Sequence, residues 1–308
     1  MSLKHLSYIE LPPHQRQGGF DHAAVHSRLG LLYVAHTAND ALDVIDCVND
    51  KYLRSIPHLT GVAGALVSKQ HDLVFTSNRS ENTVGFFSPS NELDIVKVKV
   101  GTRPNGLAYD PSRNLLLAAN VGDAAVPGSF TVSLVDVERK AILCHLAVPG
   151  RTRWAVYDLF SDFFFVNIAD PSHIAGIEAA EPTRIAHLFD IPAAGPHGLD
   201  LDLQRQRLFC ACDGKKLVSL DSRSGKVLDA LDIGGIPDVI FFNPTFKHLY
   251  VAISDPGVIE VFDTEAMKLL ETVSTELGAH TIAFDSATNK VYAFLPQTSR
   301  AVVYLDED

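Results

Sequence analysis

The chain has 308 residues, 46% hydrophobic and 20% charged, a balance that excludes intrinsic disorder and supplies a large core. Its formal net charge of -11 argues against nucleic acid or an anionic membrane as a partner, because both need a basic face. Cys47, Cys144, Cys210 and Cys212 do not form a disulfide framework by number or spacing, and no apolar run reaches transmembrane length. The N-terminus lacks the uninterrupted apolar segment of a signal peptide, so a cytoplasmic location is expected, or a periplasmic one if a leader has been removed.

In chain order, residues 5–12 (HLSYIELP) are the first strand-like run. Residues 20–36 (FDHAAVHSRLGLLYVAH) read as strand, polar turn, strand, and two further runs follow, ALDVIDC and KYLRSIPHL. The unit returns at residues 61–78, 103–120, 151–168, 195–213, 236–254 and 278–295, most plainly as RPNGLAYDPSRNLLLAAN. Copies two to six each carry two more runs, such as TVGFFS and ELDIVKVKV, where charged and apolar residues alternate as in a half-exposed strand. The seventh copy has only AVVYLDED, and its missing outer strand is available as residues 5–12.

Equivalent positions at the strand starts are His22, Ala63, Asn105, Arg153, His197, Asp238 and His280, spaced by 41, 42, 48, 44, 41 and 42 residues. This is the period of a propeller. The longer third interval is explained by a loop, residues 121–129 (VGDAAVPGS). The expected fold is all-β: a seven-bladed propeller of four-stranded antiparallel blades in a single domain, 1–308, closed by the N-terminal strand completing blade seven.

The runs YVAHTANDALDVID, FTSNRSENTVGFF, AANVGDAAVPGSFTVSLVD and YVAISDPGVIEVFD resemble the YVTN-repeat, YncE-like propellers of the quinoprotein amine dehydrogenase-like fold. The resemblance covers nearly the whole chain and implies the fold rather than one activity. A more distant likeness, through GPHGLDLD, is to virginiamycin B lyase, whose catalytic set does not map onto these residues. The fold analogy also suggests a quinone-dependent oxidoreductase, for which no residue set argues.

In a propeller the strand starts converge on the central channel, so the aligned column is the candidate site. Around the ring His197, Asp238, His280 and His22 form one arc, a donor set suited to a divalent metal ion, with Arg153 opposite to grip a carboxylate or phosphate. Arg153 and Asp238 are the expected catalytic residues, and Asn105, Arg153, His36, Asn78 and Asn120 the expected ligand-binding ones. His36, Asn78 and Asn120 are grouped with Asp213 and Ser254 at the ends of the second strands, near the same mouth. His22 and His26 would share a face on a helix, but four strand residues span roughly 13 Å and one ion cannot reach both.

Two plainer readings stand beside the metal: a polar ligand pocket without one, and a water-filled structural channel. Asp46, Asp136, Asp221, Asp263 and Asp306 are expected to serve turns, Cys210 and Cys212 to sit in the core, and Trp154 to pack between blades. The functional expectation is a small-molecule binder for an anionic ligand, with a metal-dependent lyase or hydrolase as its enzymatic form. The alternative is a non-catalytic scaffold with a protein partner.

Overall fold

The computed structural model describes residues 3–307, in which 28 strands and one short 3-10 turn, Thr37–Asn39, account for the regular structure. Strands Phe20–His26, Leu31–His36, Ala41–Asp46 and Lys51–Ile56 pair in sequence order as blade 1. Blades 2 to 6 repeat that order over residues 62–99, 104–147, 152–190, 196–232 and 237–274. Blade 7 combines Ile282–Asp285, Lys290–Leu295 and Arg300–Asp306 with Leu3–Glu10 as its outer strand. The result is the expected seven-bladed ring, and no helix among the described residues is long and apolar enough to cross a membrane.

The first hairpin of every blade has the same chemistry. Each second strand is preceded by a residue at positive φ: Gly30, Asp72, Asn114, Asp162, Gln206, Lys247 and Asn289. Five of the seven inner strands end in an Asp or Asn whose side-chain oxygen accepts from the turn backbone; Asp110 from Ser112 N at 2.8 Å and Asp158 from Phe160 N at 2.9 Å are examples. That local bond and the left-handed residue after it fix where the strand reverses. Asp46, Asp136, Asp221 and Asp263 cap the later turns in the same way.

Asp306 departs from that pattern. Its carboxylate is buried and accepts from His248 Nδ1 at 2.9 Å, Asn243 Nδ2 at 3.2 Å and the Tyr250 hydroxyl, so it ties blade 7 to blade 6 instead of capping a turn. The ring is further closed by pairing from Leu3 opposite Asp306 to Glu10 opposite Arg300. His14, just beyond that strand, bridges blade 1 and blade 7: Nδ1 lies 2.7 Å from His36 Nε2, and Nε2 lies 2.8 Å from the Pro296 carbonyl.

The core lies between blades. Leu117 and Val132 of blade 3, for example, pack with Phe164 and Val166 of blade 4, all fully buried. Each such side chain contributes about 1.5–3 kcal/mol. Cys210 and Cys212 belong to the core between blades 4 and 5, free and buried, with their sulfurs 3.7 Å apart.

Nearest the axis the packing is backbone to backbone. A Cβ added at Gly64 would lie 2.5 Å from the Asn105 carbonyl oxygen, one at Gly106 would lie 2.4 Å from that of Arg153, and one at Gly198 would lie 2.3 Å from that of Asp238. In each case the neighbour is the column residue of the next blade, so glycine is needed for close approach. Gly106→Ala is therefore expected to cost about 1–3 kcal/mol by overpacking. Thermal denaturation checks this, and an unchanged melting temperature would show that the inner strands are free to separate.

Candidate functional site

The inner strands are not regular at their starts. Register shifts fall between Phe20 and Ala23, Val62 and Gly64, Pro104 and Leu107, Thr152 and Ala155, Pro196 and Gly198, and Pro237 and Ile240. His22, Ala63, Asn105, Arg153, His197 and Asp238 all lie inside these bulges, while His280 lies two residues before the blade 7 strand. A bulge re-aims its side chains and frees them from strict alternation. That is why six successive entrances can present different groups to the channel.

The structure brings Asn105, Arg153, His197, Asp238 and His280 together around a polar cavity of about 220 Å³ at the channel mouth. Asp21, Arg79, Arg103 and Arg151 also line it. Arginines come from blades 2 to 4, and the histidine and carboxylate groups from blades 5 to 7 and blade 1. Arg79 Nη2 lies 2.6 Å from Asn105 Oδ1 and 3.3 Å from Asp21 Oδ2. Arg153 Nη2 lies 3.6 Å from Asp213 Oδ2. No ion pair involves Arg103 or Arg151 among the described residues.

His197 is held between two carboxylates. Its Nδ1 lies 2.7 Å from Asp213 Oδ1 and its Nε2 lies 3.2 Å from Asp238 Oδ1. Burial works to lower its pKa, but the Asp238 charge and the bonds to Asp213 and Asp238 together push it up to about 9. Burial conversely works to raise Asp238, while His197, His280 and His22 hold it well below the usual carboxylate range. Both ring nitrogens therefore carry protons at neutral pH, and His197 acts as a cation. Positive groups thus outnumber the carboxylates Asp21, Asp213 and Asp238 around the mouth. Arg151 shows the resulting crowding: burial first, then the charges of Arg153 and Arg103, lower its pKa.

His22 turns away from this arc. Its ring lies 4.0 Å from that of Trp154 and its Nε2 lies 3.3 Å from Asp21; burial pushes its pKa below the ordinary histidine range. His280 Nε2 lies 3.8 Å from Asp238 Oδ2, on the same carboxylate that faces His197. No group of three or more His, Cys, Asp or Glu among the described residues is arranged to hold a metal ion. The guanidinium groups of Arg79, Arg103, Arg151 and Arg153 on the same mouth favour an anion there.

His36, Asn78 and Asn120 do not reach the mouth. His36 is buried against Asp43 Oδ2 at 2.7 Å, Asn78 donates to Thr83 Oγ1 at 3.1 Å, and Asn120 donates to Thr131 Oγ1 at 2.9 Å and Ser133 Oγ at 2.8 Å, all inside their blades. These three face Phe20, Val62 and Pro104 in the sheet, whereas Asp213 and Ser254 lie one residue past the corresponding Cys212 and Ile253. One step along a strand reverses the face. The column on the mouth side is thus Arg79, Val121, Ala169, Asp213 and Ser254, each donating its N–H to the residue two before the entrance position, and Arg79 and Val121 line the cavity itself. Arg103 and Arg151 hold that preceding position in blades 3 and 4, a regularity visible in RPN and RTR.

Below the mouth Trp154 crosses the channel, its indole against His22 of blade 1 and edge-on to Phe241 of blade 6, with ring centroids 6.3 Å apart. It separates the polar mouth from a second, apolar cavity at the other end. The sequence expectation of a packing role for Trp154 is met across the channel rather than between adjacent blades alone.

These features define the chain as a seven-bladed propeller with a charged axial mouth. No protein-family profile matches it, and no curated protein matches it in sequence. Among solved structures, Kuenenia stuttgartiensis hydrazine synthase aligns with a TM-score of 0.81 and 14% identity, over 94% of this chain and 97% of that chain. Since 1812 solved chains match, likeness at that identity speaks for architecture alone.

His197 protonation contributes stability that is complete below pH 6.5, its ordinary pKa, and is lost as pH rises through about 9. Asp238→Asn removes the leading favourable charge, so the His197 titration is expected to fall by about one unit or more. Imidazole NMR resonances followed from pH 5 to about 10 would test this; an unmoved titration would contradict the pairing.

Proposed function

We propose that the polar mouth binds a small anionic molecule bearing a carboxylate or phosphate group. The observation that carries this reading is the convergence of Arg79, Arg103, Arg151 and Arg153 with a cationic His197 on one small cavity, in a protein of net charge -11. A concentration of like charge against the overall sign is costly without a counter-charge, and planar guanidinium groups match carboxylate and phosphate oxygens in pairs. The divalent ion expected at His22, His197, His280 and Asp238 has less support, because His22 packs on Trp154 and four guanidinium groups share the mouth.

In the enzymatic form of this reading, a lyase or hydrolase, Arg153 orients the anion and the His280–Asp238 pair handles a proton. His280 Nδ1 donates to the Gly278 carbonyl at 2.8 Å, which leaves Nε2 facing Asp238 as the exchangeable position. Affiliation with the YVTN-repeat propellers belongs to the same reading and rests on the four repeat runs. The scaffold alternative is supported only by exposed apolar side chains such as Val48, Leu93 and Phe160, which stand on turns of three different blades.

Calorimetry with inorganic phosphate, malonate and citrate at constant ionic strength tests the proposal. At least one dianion is expected to bind saturably, with about tenfold weaker binding by Arg153→Gln and no effect of prior chelation. Failure of all three, or binding indifferent to Arg153→Gln, would remove the anion reading.

A further inference from the structure

The channel has a second chamber, of about 620 Å³, at the end opposite the charged mouth. Its volume lies in the range of small-molecule sites. The wall is apolar along the late halves of the inner strands and carries five aromatic rings, Tyr109, Trp154, Tyr157, Phe241 and Phe284. Trp154 and His22 close its inner end. Its charged wall residues are Lys69, which is exposed, and Asp200.

Asp200 is the anomaly. Its Oδ1 accepts from Leu201 N at 2.8 Å and its Oδ2 from Phe242 N at 2.6 Å, which occupies two of the four lone-pair directions of a carboxylate. No Lys, Arg or His pairs with it among the described residues. Burial accordingly raises its pKa to about 7, with only those two backbone bonds opposing the rise. The bond to Phe242 N joins blade 5 to blade 6, but neither backbone bond requires a full negative charge. A carboxyl group without a counter-ion in the wall of an aromatic cavity has a chemical complement: a cation on an apolar body. Aromatic faces attract the same kind of group.

We propose that this chamber binds a small molecule with an apolar body and one cationic amine, the amine seated on Asp200 and the body against Trp154, Phe241 and Phe284. The site is separate from the anion-binding mouth, with Trp154 as the wall between them.

Trp154 is the single tryptophan of the chain, so its fluorescence reports on this chamber directly. The test is titration at pH 8 with benzyltrimethylammonium and with its uncharged carbon isostere, neopentylbenzene, followed by Trp154 fluorescence and by calorimetry. Saturable binding of the cation is expected, with the isostere about tenfold weaker or worse. Asp200→Asn is expected to erase that preference. The comparison of the two probes on the unaltered protein stands whether or not the variant folds. Equal affinity for the two, retention of the preference in a folded Asp200→Asn variant, or no saturable binding of the cation would each overturn the proposal.

Discussion

Around the axis, the backbone of one blade runs directly against the backbone of the next. Gly64, Gly106 and Gly198 face the carbonyls of Asn105, Arg153 and Asp238 with no room for a methyl group. Elsewhere around the ring the same contact is made by hydrogen bonds, from Val239 N to the His280 carbonyl and from the Thr281 hydroxyl to the Phe20 carbonyl. Because these contacts join Asn105, Arg153, Asp238 and His280 to the blade before each, these entrance side chains are positioned by neighbours as much as by their own strands. Residues brought together from distant parts of the chain are thereby held as one rigid rim.

The two ends of the channel use that rim differently. At the polar mouth, His197 is held by Asp213 and Asp238, and the arginines come from blades 2 to 4. Removing one member of such a buried pair leaves an uncompensated charge, so the network is sensitive at every position. At the other end the wall is hydrophobic and, among the described residues, Asp200 has no partner of this kind. Trp154 keeps the two environments apart, its indole in contact with blade 1 on one side and blade 6 on the other.

Most of the architecture was legible in the sequence because repetition carries its own alignment. The spacing of the copies, the truncated seventh unit and the spare N-terminal run sufficed for the blade count and the closure. The entrance column was legible for the same reason, and Asn105, Arg153, His197, Asp238 and His280 do meet at one cavity. Bulges limited how far this reasoning reached. An extra residue in a strand breaks the period-two rule, so the orientation of His22 could not be read from alternation. The second-strand ends failed by one residue of register, which placed His36, Asn78 and Asn120 inside blades and left Arg79 unnoticed. Asp306 looked like four other strand-ending aspartates, and only the three-dimensional ring reveals His248 and Tyr250 beside it.

The pairing of Leu3–Glu10 with Arg300–Asp306 also has a consequence for how the chain is made. The outer strand of blade 7 leaves a ribosome before every other strand of the ring, yet its partner exists only once those strands have been synthesised. Until then blades 1 to 6 can stack as an open arc, with blade 6 presenting an uncovered flank and the early strand left unpaired. Ring closure joins the two strands most distant in sequence, the pairing with the greatest loop entropy to overcome. Circularity, which removes exposed flanks from the finished protein, concentrates its vulnerability to misassembly in that interval.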